Sequence, residues 1–173
     1  MPRSLPPWTR HFPTWFAPFL THFRHRAQRN WAPLYVRGLC SAAHRKSMQP
    51  LAAVVAPGKE DHIQQFITDS PWSTGPLETL LAQRAEEMLG GKDAVLIIDD
   101  TCLTKFGTKS VGVARQYSGQ VGKITTCQCL VSLTLAQHEL PVPVALRLFL
   151  PQEWTRDPAR LGAAGVPEEH QLP

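Results

Sequence analysis

The spacing of the apolar residues changes at Asp93, and this change constrains the fold more than any other feature of the chain. Before it, Leu77, Leu80, Leu81, Ala85 and Leu89 recur every three or four residues. That spacing predicts a helix over Pro76 to Leu89, with Ser73 or Thr74 able to cap its start and Gly90-Gly91 ending it. After it, Ala94 to Asp99 is a continuous apolar, β-branched run between Gly90-Gly91 and Gly107. It is too short for an ordinary helix and reads as a buried strand. Ser110 to Tyr117 is a second extended candidate, and Lys123 to Leu135 is rich in strand formers. A turn at His138 to Pro141 and a further strand over Val142 to Leu150 close an antiparallel pair, which Pro151 stops. Glu153 to Gly162 then starts another helix. Helices followed by antiparallel strands make the fold class α+β.

The N-terminal part completes the helical region. Prolines prevent a long helix before Pro18, whereas Phe19 to Trp31 and Pro33 to Met48 have helical spacing and read as two helices. Pro50 to Gly58 reads as a linker, and Glu60 to Thr68 as a short helix with Ile63, Phe66 and Ile67 inward. The expected division is a helical region over 1–92 and a sheet region over 93–173. With 173 residues, 43% hydrophobic and 18% charged, the chain has material for a core, which excludes a wholly disordered or collagen-like chain. No apolar run reaches the roughly 18 residues of a membrane span. Pro6, Pro7, Pro13 and Pro18 interrupt what would be a signal peptide's apolar core, so the expected location is cytoplasmic.

Charge divides the chain after Lys59. The first 59 residues hold nine Lys and Arg and no acid, a net +9, and the remaining 114 sum to −5. An acid-free basic arm suits phosphate, and double-stranded DNA is the partner it implies. Its densest cluster is Arg24, Arg26 and Arg29 with His22 and His25. Trp8, Phe12, Trp15, Phe16, Phe19, Phe23, Trp31 and Tyr35 are interleaved with the cations. Either these rings stack on a ligand, or they form a helical core whose outer face the arginines solvate.

Cys40, Cys102, Cys127 and Cys129 do not have the spacing of a disulfide framework. A structural metal would need Cys102 or His138 to join the C-x-C pair from elsewhere. The expected role is as small, buried or half-buried strand residues.

Asp99-Asp100 follows directly on the apolar strand, where a carboxylate is held rigidly enough to ligate metal. Strand alternation turns the two to opposite faces. Several segments together carry a resemblance. Ile97-Ile98-Asp99-Asp100-Thr101, Lys105-Phe106-Gly107, Ser110 through Lys123, and Leu148 through Trp154 with Asp157-Pro158 resemble insertion-sequence transposases of the DDE superfamily. Upstream, Arg45-Lys46-Ser47, Gln64 to Ile67 and Ser70-Pro71-Trp72 are similar to that family's helical leader. The resemblance runs from about residue 40 to Glu169.

The resemblance implies an RNase H-like catalytic domain whose first strands are antiparallel, and DNA transposition by two-metal phosphoryl transfer. Asp100 would be the first catalytic acid, with Asp99 the alternate, bridging two Mg²⁺ while water and then a 3′-hydroxyl attack phosphates at the element ends. Arg45, Lys46, Arg115 and Lys123 join Arg24, Arg26 and Arg29 as candidate DNA contacts. Gln116 lies in the same stretch, and Trp154 reads as a packing residue. The family's second Asp and its Glu lie well downstream, but only 73 residues follow Asp100. Asp157, Glu168 and Glu169 come too early to replace them. The expectation is therefore an incomplete RNase H-like fold, a truncated and catalytically incomplete fragment that another transposase chain would have to complete. The alternative is a non-catalytic DNA-binding module or an inhibitor of the full-length transposase.

Overall fold

The structure, a computed structural model, describes residues 7–168; Arg3, Pro6 and Glu169 lie outside the described residues. The chain divides into two compact units, Met1–Leu80 and Leu81–Pro173.

In the first unit the prolines shorten the early helices without abolishing them. A 3₁₀ turn at Pro7–Arg10, helix α1 (Phe12–Phe16) and a 3₁₀ segment at Ala17–His22 follow one another, with Pro13 and Pro18 in first-turn positions. No backbone N–H is needed there. Helix α2 (Arg26–Leu39) corrects the expectation of two helices meeting near Pro33, because it runs through that proline. One missing N–H interrupts the helix's bonding but not its path.

Helix α3 (Met48–Val55) likewise replaces the expected linker. Pro50 is its third residue, where an N–H would have no partner within the helix. Helix α4 (Glu60–Thr68) has the expected bounds, with Ile63 and Phe66 buried and Ile67 half-buried. Helices α2, α3 and α4 pack on one another, and Gly38 is the close point: a Cβ there would collide with the Leu51 side chain.

Buried Gln28 ties the start of α2 to the segment after α4. Its Oε1 accepts from the His25 N–H at 3.0 Å, and its Nε2 donates to Ser70 Oγ at 3.2 Å and the Pro71 carbonyl at 2.8 Å. Each polar atom of this side chain is satisfied, which burial requires. Helix α5 (Thr74–Leu89) stops before Gly90, with Ala85 and Leu89 buried.

The second unit is built on one long strand. Strands β1 (Val95–Thr104), β2 (Ala114–Ser118), β3 (Lys123–Gln137) and β4 (Leu140–Leu148) form one antiparallel sheet. Strand β1 pairs along one edge of β3, while β2 takes residues 123–127 and β4 residues 130–137 of the other edge. A two-residue turn at His138-Glu139, with His138 at φ 54°, joins β3 to β4. The second strand begins later than expected, because Ser110 to Val113 turns instead of extending. Gly112 needs its missing side chain: at φ 75° it sits where a Cβ would come 2.9 Å from the Phe149 carbonyl.

The expected single helix after Pro151 divides into α6 (Gln152–Thr155) and α7 (Pro158–Ala163). Pro158 can begin a helix but not continue one, and Asp157 caps α7 by accepting from the Arg160 N–H at 2.9 Å. Trp154 is the packing residue expected. It is 1% exposed, its Nε1–H donates to the Val113 carbonyl at 2.9 Å, and the Arg160 guanidinium lies 3.8 Å from its ring centroid.

Two expectations for β1 are corrected. Its apolar run is exposed, not buried: Leu96 is 66% and Ile98 76% exposed. Among the described residues β1 pairs only with β3, so one of its edges is bare and neither face of this run is covered. Asp99 and Asp100 also lie in mid-strand, since pairing continues to Thr104.

Trp154→Ala should cost about 3–5 kcal/mol, read as a lowered denaturation midpoint of the second unit; a change below about 1 kcal/mol would show that the indole is not part of the core. Ile98→Lys should leave stability within about 0.5 kcal/mol while raising the monomer fraction in light scattering, because a charged edge resists strand-to-strand association.

Candidate nucleic-acid interface and carboxylate site

The aromatic residues of the basic arm mostly face inward. Phe12, Phe16, Phe19 and Phe23 are buried. Phe12 and Phe16 stack at 5.2 Å and Phe16 and Phe19 at 5.6 Å, while Phe23 meets Phe66 and Trp72 at 6.0 and 6.1 Å. Of the two readings, the helical core holds for these four rings, leaving the cations as the surface available to a ligand. Arg24, Arg26 and Arg29 are exposed at the start of α2, and among the described residues no acidic side chain pairs with them. Arg29 also has a local role, since its Nε donates to the Phe23 carbonyl at 2.8 Å. Arg45 and Lys46 are exposed in the loop between α2 and α3, where Lys46 Nζ donates to the Ser41 carbonyl at 2.6 Å.

The start of α2 adds its own field. Exposed N–H groups give a helix N-terminus a partial positive charge, so three arginines there are mutually unfavourable until an anion neutralises them. His25 and Gln28 form a reciprocal cap, each side chain accepting from the other's backbone N–H.

In the second unit, register fixes which groups share a face. Asp100 lies opposite Val131 and Asp99 opposite Ser132, so the two carboxylates diverge as expected; both are exposed. The other candidates are not brought together. Arg115 lies opposite Thr126 and Lys123 opposite Ser118, and alternation along β3 sends their side chains to opposite faces. Both are exposed, whereas the Gln116 amide is engaged by the Cys127 carbonyl at 3.3 Å.

A family model of the DDE superfamily endonucleases matches residues 18–172. The chain belongs to this family. The match begins well before residue 40, so Arg24, Arg26 and Arg29 fall within it. The chain is also similar to a probable transposase for insertion sequence element IS701 from Microchaete diplosiphon, 30% identical over 116 residues. That stretch is 67% of this chain and 30% of the relative, so the chain spans under a third of the length of the curated relative it matches. No solved structure matches it.

The donors for the metal implied by the family do not assemble around Asp100. Magnesium requires near-octahedral oxygen coordination. Among the described residues, neither Asp157 nor Glu168 joins Asp100 in a cluster. The one set of three or more His, Cys, Asp or Glu side chains that converges is Cys102, Cys127 and Cys129. One strand carboxylate does not make a magnesium site, so the described residues do not by themselves fit a resident Mg²⁺.

The cysteine expectation needs a correction. Cys102 and Cys129 form a disulfide. They occupy directly opposite positions on β1 and β3, a pairing that depends on strand register and not on sequence spacing. Cys127 is a buried free thiol and Cys40 an exposed one. The sequence did contain a signal for part of this cluster, because C-x-C in a strand puts both sulfurs on one face.

Asp100→Asn should change stability by less than about 0.5 kcal/mol, since the side chain is exposed. A larger loss in thermal or urea unfolding would give Asp100 a structural role.

Proposed function

We propose that this chain is the DNA-holding, first-carboxylate part of an insertion-sequence transposase, and that by itself it binds duplex DNA without cleaving it. The observation that carries this reading is the Arg24, Arg26 and Arg29 cluster at the start of α2, exposed and without an acidic partner among the described residues. Phosphates are the ligand such a cluster suits, through charge-assisted contacts that displace counterions. Arg45 and Lys46 extend the basic surface of the first unit. Arg115 and Lys123 are weaker candidates, because they face opposite sides of the sheet.

Asp100 is the family's first acid in this reading, held by the β1–β3 ladder, with Asp99 on the other face as the alternate. The family's two-metal chemistry at element ends needs further carboxylates, which the described residues do not bring to Asp100. The bare edge and uncovered faces of β1 support the same reading: an RNase H-like sheet whose remaining strands and carboxylates lie outside the described residues. The intended division of labour is a basic helical region over 1–92 and a partial catalytic region over 93–173. A non-catalytic binder of element ends would also compete with a complete transposase for the same DNA, which makes inhibition the second reading.

Fluorescence anisotropy with duplex DNA across a salt series tests this. Affinity should fall steeply with salt, ignore Mg²⁺ and survive Asp100→Asn. The double variant Arg24→Ala/Arg26→Ala should flatten the plot of log affinity against log salt by about 1.8, roughly 0.9 for each lost phosphate contact. An unchanged slope would remove these residues from the interface. Mg²⁺-dependent cleavage by the purified chain would overturn the non-catalytic assignment.

A further inference from the structure

We infer that the reduced chain binds a thiophilic divalent cation, Zn²⁺ or a close analogue, through Cys102, Cys127 and Cys129, and that the Cys102–Cys129 disulfide closes this site. Cys127 and Cys129 project from the same face of β3, and the β1–β3 register brings Cys102 opposite Cys129. All three sulfurs lie within 4.8 Å of one another. Their residues are buried, 6%, 0% and 5% exposed in chain order, and together form a core cluster of their own. Tetrahedral zinc with Zn–S bonds of about 2.3 Å places its sulfurs about 3.8 Å apart, so small side-chain rotations would suffice.

Two backbone carbonyls approach the sulfurs. Cys102 Sγ lies 3.7 Å from the Tyr117 carbonyl oxygen and Cys127 Sγ 4.0 Å from that of Gln116. The next residue, Ser118, is fully buried, and its Oγ has no hydrogen-bond partner among the described residues. A buried hydroxyl without a partner is costly.

The two states exclude each other. In the disulfide each sulfur is bonded to the other, leaving Cys127 as a single thiol. A dithiol reductant supplies two electrons and two protons, giving free Cys102 and Cys129 thiols and leaving as its own disulfide. The cation then displaces the three thiol protons to solvent and takes three thiolates, with the fourth tetrahedral position left to water or an exogenous ligand. This site is separate from the proposed role of Asp100, since soft sulfur donors select against Mg²⁺.

The test uses the full chain, reduced with dithiothreitol, freed of it anaerobically, and titrated with Co²⁺ as a spectroscopic probe. The expected result is one Co²⁺ per chain, with tetrahedral d–d bands and a sulfur-to-cobalt charge-transfer band, all removed by one equivalent of Zn²⁺. Diamide-oxidised protein should show none of these bands. Cys127→Ser should weaken Zn²⁺ binding more than about 100-fold, beyond the cost of altering an outer contact, while Cys40→Ser should leave it unchanged. A reduced, folded wild-type chain without the charge-transfer band overturns the proposal, whatever the variants do. So does full affinity in Cys127→Ser. Circular dichroism checks that each variant is folded, and Cys129→Ser replaces any that is not.

Discussion

The second unit depends on the pairing capacity of β3. Among the described residues it is the one strand bonded along both edges: β1 occupies one side, and β2 and β4 divide the other. Backbone N–H and C=O groups need partners when water is excluded, so a strand of 15 residues that takes partners on both edges organises everything beside it. The position of Asp100, the meeting of the three cysteines and the anchoring of the loop at Gly112 all follow from its register.

A different constraint orders the first unit. Four of the rings that could have met nucleic-acid bases, Phe12, Phe16, Phe19 and Phe23, are used to build the core, and the arginines, which cannot be buried without acids to pair with, are left outside it. The interior is therefore uncharged and the exterior cationic. An exposed cationic surface is then a property of the same sequence pattern that folds the helices.

Periodicity made much of this legible. The bounds of α4, the long β3 strand, the hairpin to β4 and the divergence of Asp99 and Asp100 all follow from repeats of 3.6 or 2 residues. Proline misled in two places, because its effect depends on position within a helix: Pro50 falls in a first turn, while α2 passes through Pro33. The run at Val95 to Ile98 has the composition of a strand covered on both faces, but composition reports what a strand suits and not what neighbours it has. The Cys102–Cys129 bond was hidden because it joins positions that become neighbours only through register. Distance between Asp100 and any partner carboxylate was hidden for the same reason, and only three-dimensional placement reveals that the described residues gather none around it.

The order in which the sheet can assemble follows from its turns. The β3–β4 pairing begins at residues separated only by His138 and Glu139, and β2 meets β3 across the short turn after Ser118. The β1 ladder instead joins Thr104 to Cys127 and Val95 to Ala136, after every intervening strand has been traversed. Loop-closure entropy makes such distant pairing the late event in folding. The strand that bears Asp99 and Asp100 is thus the last to dock and, with one bare edge, the first expected to open. A covalent link through Cys102 would couple that opening to the redox state of the chain.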